Sequence, residues 1–94
     1  MNSKTKWTLS VSDSAEKDLA FFRMNEKALY LKCFDLLRAI LEDPENGIGK
    51  PEKLRHQKQN LYSRRISQEH RLVYLLDFKE KNVLVLSFRK HYNF

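Results

Sequence analysis

Trp7, Leu9 and Val11 alternate with Thr8, Ser10 and Ser12, the period-two pattern of a strand with one buried face, so a first strand is predicted over 6–11. Ser12 or Asp13 then stands where a helix cap belongs, Glu16 adds early acidic charge, and Ala15, Leu19 and Phe22 fall at i, i+4 and i+7. Asn25 is expected to interrupt that helix. A second helix follows to about Asp43, with Leu29, Cys33, Leu36, Leu37, Ile40 and Leu41 forming a broad apolar stripe until Pro44 ends it. The two helices make a hairpin.

Between Pro44 and Asn60 neither period is present, and the segment carries both prolines, both glycines and many charges, so it reads as one long loop. Long loops in small domains are often functional. Beyond it, residues 61–66, 71–78 and 82–88 are β-branched or aromatic-rich runs, separated by linkers short enough for hairpin turns, with Lys79-Glu80-Lys81-Asn82 as one tight turn. The order is β-α-α-β-β-β without internal repeat. An α+β fold is predicted: an antiparallel sheet with an N-terminal strand, the helical hairpin packed on one face and three C-terminal strands.

At 94 residues the chain is the size of one domain, so 1–94 is taken as a single unit. Eleven aromatics and a 41% hydrophobic fraction suffice for one modest core and exclude a disordered composition. The lone Cys33 cannot form an internal disulfide, and His56, His70 and His91 lack ligand spacing for zinc, so no metal site and no cofactor are expected. No apolar run approaches the length of a membrane span, and none follows the first lysines, so a cytoplasmic protein without a membrane partner is expected.

Charge adds more. The net charge is +6, and residues 50–71 hold seven basic residues against Glu52 and Glu69, while residues 1–49 are nearly neutral. Arg89 and Lys90 supply the rest of the excess. Such clustering points to an anion-binding face for nucleic acid or an acidic protein. If Arg71 opens its strand, then Glu69, Arg71, Val73 and Leu75 share one face, and Ser87, Arg89 and His91 share a face of the last strand. One sheet surface can then collect Arg65, Glu69, Arg71, Arg89 and His91, with Glu52 folding over it. Those are the parts of a metal-free nuclease: a base for the 2′-OH proton, cations for the phosphate and an acid for the 5′-oxygen. The plain reading of the same residues is a solvated Glu52, an Arg71–Glu69 ion pair worth little, and a terminal His91 at the surface. Tyr62 and Tyr74 read as packing residues, and Cys33 as a small buried thiol.

KPEKLRH (50–56), SRRI (63–66), EHRLVY (69–74) and RKHY (89–92) together resemble, in order and spacing, the YoeB/Txe branch of the RelE-like bacterial toxins. The early Trp7 strand and the two-helix insertion resemble that branch too, so the likeness runs over nearly the whole chain. It implies a RelE/microbial-RNase-like fold and a ribosome-dependent, metal-independent endoribonuclease that cuts messenger RNA in the decoding site. It also implies as partners an acidic antitoxin of the YefM/Phd kind, the 70S ribosome with its RNA, and, in some settings, a second copy of the chain.

Carried over by position, the resemblance implies Glu52 as general base, Arg71 as the phosphate-stabilising cation, His91 as general acid and Tyr92 as the residue that places the nucleotide. Glu69, Arg65, Arg55, Lys50 and Lys53 fall at substrate-binding positions, and on this reading Lys50, Lys53, Arg55, Lys58 and Arg64 are expected to contact ribosomal RNA. Arg55 stands where the family commonly has lysine, Lys58 where it has an apolar residue and Asn60 where it has glycine, and Asn93 and Phe94 extend past the usual terminal tyrosine. Two other classes stay open: a ParE-like toxin without nuclease activity, and a module whose basic face only receives an antitoxin.

Overall fold

The computed structural model describes residues 6–55 and 58–89. In chain order the elements are β1 (Thr8–Val11), α1 (Asp13–Asn25), α2 (Lys27–Glu42), β2 (Glu52–Lys53), β3 (Leu61–Arg65), β4 (Arg71–Asp77) and β5 (Asn82–Ser87). The cap signal is met by Ser12, whose hydroxyl accepts the Ala15 N–H at 3.1 Å and donates to the Leu86 carbonyl. That one side chain starts α1 and ties it to β5. The helix break falls at Glu26, one residue after Asn25, where φ is −144° and ψ 75°. Asn25 turns its amide back onto the Phe21 carbonyl at 2.9 Å, occupying a helix-end acceptor.

All five strands form one sheet in the order β1-β5-β4-β3-β2. Three of its pairings are antiparallel, but β1 runs parallel to β5, so the sheet is mixed and not wholly antiparallel. The alternation of Trp7, Leu9 and Val11 aims the same side chains at the core in either direction, and no hairpin turn ties β1 to its partner. The long connection between them, through the helical hairpin and then β2, β3 and β4, supplies the crossover that parallel pairing needs. A second correction concerns the predicted loop, which contains β2. Both its residues are exposed and pair through backbone with Ser63 and Tyr62, so they leave no hydrophobic signature.

The helices cover one face of the sheet. Phe22, Cys33, Leu36 and Ile40 meet Leu72, Tyr74, Leu76, Val83, Val85 and Phe88, all at most 3% exposed. Each such Leu, Ile or Phe contributes roughly 1.5–3 kcal/mol through burial. His70 joins this side, with its ring edge-on to Phe22 at 5.1 Å. The Cys33 thiol is buried here, and loss of solvation, with the Asp18 carboxylate second, pushes it up to about 12. Among the described residues no helix is long and apolar enough to cross a membrane.

Candidate functional site on the open face of the sheet

Because Tyr62 and Arg64 of β3 and Leu72, Tyr74 and Leu76 of β4 point toward the helices, the intervening residues point to the opposite face. The β3–β4 register sets Arg65 directly beside Arg71 and Ser63 beside Val73, and β2 sets Glu52 beside Ser63. Paired residues share a face, so Glu52, Arg65 and Arg71 all lie on the side away from the helices. Glu52 sits two strands from β4, about 10 Å in backbone spacing, a distance that extended side chains and one phosphodiester can bridge. These three residues therefore share one face of the sheet.

Arg71 has a specific seat. One of its terminal nitrogens donates to the carbonyls of Ser67 at 3.1 Å and His70 at 3.3 Å. The turn that offers these acceptors is itself pinned by the Ser67 hydroxyl, which accepts the N–H groups of Glu69 and His70. The Glu69 carboxylate lies 3.7 Å from His70 Nε2, and among the described residues it forms no salt bridge with Arg71. Neutral carbonyls orient the guanidinium without cancelling its charge.

Around these residues the surface is basic. Lys50, Lys53, Arg55 and Lys58 are exposed, as are Glu52, Arg65 and Glu69. Lys50 follows two glycines of positive φ and itself takes φ 49°, so the chain turns sharply before entering β2. His91 and Tyr92, together with His56 and Lys90, lie outside the described residues. No group of three or more His, Cys, Asp or Glu side chains converges on a common point among the described residues.

Two expected cations are elsewhere. Arg89 does not join the open face, because β5 ends at Ser87 and the Asp18 carboxylate of α1 accepts the N–H groups of Phe88 at 2.8 Å and Arg89 at 3.2 Å. Its guanidinium carbon rests 3.6 Å from the centre of the Phe21 ring, a cation–π contact on the helix side. Arg64, expected to contact ribosomal RNA, is fully buried. Its Nε donates to the Tyr74 hydroxyl at 3.0 Å and its terminal nitrogens to the carbonyls of Ile48, Asp43 and Asn46 at 3.1, 2.7 and 2.9 Å. The signal for this was in the alternation, since Arg64 shares its parity with Tyr62 and Ile66. Tyr62 and Tyr74 pack as expected but also use their hydroxyls, which donate to Glu45 at 2.8 Å and to the Pro44 carbonyl at 2.7 Å. Burial, aided by the Glu45 carboxylate, pushes the Tyr62 hydroxyl up to about 12.

Comparison with known proteins agrees with the motif resemblance. A family model described as a YoeB-like toxin of bacterial type II toxin–antitoxin systems matches residues 11–92. The Toxin YoeB of Synechocystis sp. is 43% identical over 75 residues, covering 80% of this chain and 85% of the relative. The YoeB dimer of Staphylococcus aureus superposes with a TM-score of 0.82 at 38% identity, covering 93% of this chain and 99% of that one. A heterotetrameric YoeB–YefM toxin–antitoxin complex from the same organism contains a chain matching with a TM-score of 0.78, at the same identity and coverage. With the motifs, the fold and both kinds of comparison in agreement, the chain belongs to the YoeB-like toxin family of bacterial type II toxin–antitoxin systems.

Proposed function

We propose that this toxin is a ribosome-dependent endoribonuclease that cleaves messenger RNA in the decoding site and so inhibits translation. The observation that carries the reading is that Glu52, Arg65 and Arg71 share the face of the sheet away from the helices. In this mechanism the Glu52 carboxylate takes the proton of a ribose 2′-OH, and the oxygen attacks the adjacent phosphorus. The P–O5′ bond breaks, and His91 gives a proton to the departing 5′-oxygen. The products are a 2′,3′-cyclic phosphate and a 5′-OH end. Arg71, held by the Ser67 and His70 carbonyls, stabilises the charge that grows on the phosphoryl oxygens, while Arg65 and Glu69 flank the substrate and Tyr92 places the nucleotide. Every step is proton transfer or charge stabilisation by side chains, so the chemistry calls for no cofactor.

Exposed Lys50, Lys53, Arg55 and Lys58 are assigned to ribosomal RNA, where phosphate contact gives affinity without sequence choice. Neutralisation is assigned to an acidic antitoxin, in line with the YoeB–YefM complex of the S. aureus relative. The basic segment would draw it in, and exposed Met24, Leu31 and Phe34 on the helical hairpin would anchor it. The dimer of the S. aureus relative supports a second copy as a further partner. Ribosomes as substrate carriers place the protein in the cytoplasm.

The test is a translation reaction with purified ribosomes and a defined message, read by mapping new 5′ ends. Cleavage confined to ribosome-bound message is the expected result. Translation that proceeds undisturbed with no new 5′ ends would overturn the nuclease reading in favour of a non-nucleolytic, ParE-like toxin.

A further inference from the structure

Arg64 and Arg65 are adjacent, yet β3 sends them to opposite sides of the sheet, and the buried one grips the segment that leads to Glu52. Four of the five guanidinium N–H bonds are used, one on Tyr74 and three on the carbonyls of Asp43, Asn46 and Ile48. The Asp43 carbonyl lies at the C-terminal end of α2, where the helix dipole favours a cation. Tyr74 closes the set by donating to Pro44, so carbonyls from residues 43, 44, 46 and 48 are all held by one pair of side chains. The glycines fit around this group: a Cβ on Gly47 would lie 3.1 Å from the guanidinium, and one on Gly49 would lie 3.1 Å from Arg64 Cβ and 2.8 Å from Leu36. Next, the Gly49 carbonyl accepts the Arg65 N–H at 2.6 Å, and Glu52 pairs with Ser63, the residue before Arg64. The path from the buried guanidinium to the candidate base is short, with carbonyls held at residues 43, 44, 46, 48 and 49 before β2 pairs with β3.

We propose that Arg64 is a positioning residue for Glu52, fixing β2 against β3 from the far side of the sheet; the inference rests on the reading of Glu52 as general base. A two-residue exposed strand has little packing of its own to hold register, so its placement depends on the segments that flank it, and Arg64 holds the one before it.

Arg64→Lys tests this, because an ammonium keeps the charge but cannot span the same four acceptors. Single-turnover cleavage on ribosomes is expected to fall about 10²-fold, the cost of a misplacement near 1 Å, with ribosome affinity nearly unchanged. Amide hydrogen exchange should quicken at Leu54 and Arg65, whose N–H groups bond to Leu61 and Gly49, while α1, β4 and β5 keep their protection. In a Glu52→Gln background, Arg64→Lys should cost nothing more. Full additivity of the two substitutions, or unaltered exchange at Leu54 and Arg65, would overturn the inference. A wild-type rate for Glu52→Gln alone would instead overturn the base assignment, so the two failures are read from different measurements. Should Arg64→Lys not fold, Tyr74→Phe removes only the hydroxyl that links Arg64 to Pro44 and carries the same expectations.

Discussion

A guanidinium bonded to neutral carbonyls keeps its full charge for another anion, and among the described residues Arg71 is in that position against Ser67 and His70. Its contribution should grow as charge builds on the phosphate, so Arg71→Ala should lower the single-turnover cleavage rate more than it lowers ribosome affinity. Equal losses in rate and affinity would make it a binding residue. For Glu52→Gln and His91→Gln, the expected loss is that of a positioned base or acid, about 10²–10⁴-fold in rate with binding intact. Wild-type rates in both would remove the proposed proton transfers. At this scale the sequence was most legible where a residue's type and its strand parity agreed, as for Arg65 and Arg71. It misled at Arg64, where clustered positive charge was weighed above the apolar parity of Tyr62 and Ile66. It also misled at Arg89, because an Asp on a distant helix ends the strand there, and no local pattern records that.

Among the elements, α1, α2, β1, β3, β4 and β5 could each be read from apolar period because each buries a face. β2 could not, being held by backbone alone. The direction of β1 was equally invisible, as alternation is blind to strand polarity. The Ser12 contact makes an element-scale prediction: Ser12→Ala should destabilise the fold by about 1 kcal/mol, seen as a lower urea midpoint with unchanged slope. Gly49→Ala should cost more, because φ is +85° there and the new methyl would meet Leu36 at 2.8 Å. A midpoint equal to wild type would mean that the loop has room that the packing denies.

For the whole molecule, charge and protonation set the expected behaviour. Ribosome binding should weaken as salt rises, and removing Lys50, Lys53, Arg55 or Lys58 singly should each lower the slope of log affinity against log salt by roughly one. A slope unaltered by all four would move the RNA-binding face elsewhere. Alkaline pH should destabilise the fold through Cys33. Its thiol ionises near 9 in an unfolded chain but only near about 12 when folded, so the folded state holds the proton more tightly. Stability is unaffected by this group below pH 9 and falls as pH rises from there towards 12. A Cys33→Ala variant should show a shallower decline in a pH series of denaturant melts.

The parallel pairing of β1 with β5 also has a temporal side. Thr8 bonds to Asn82 across 74 positions, so the first strand waits for nearly the whole chain before it has a neighbour. Closing so wide a loop is an entropic debt that local turns do not share, and it makes β1 a late arrival in folding. As the chain emerges, β3 and β4 can meet as a hairpin while β1 remains unpaired. The sheet that frames Glu52 and Arg71 is completed only after residues 82–85 have cleared the exit tunnel. On the proposed function, the toxin is thereby kept unfinished until β5 has been made and paired.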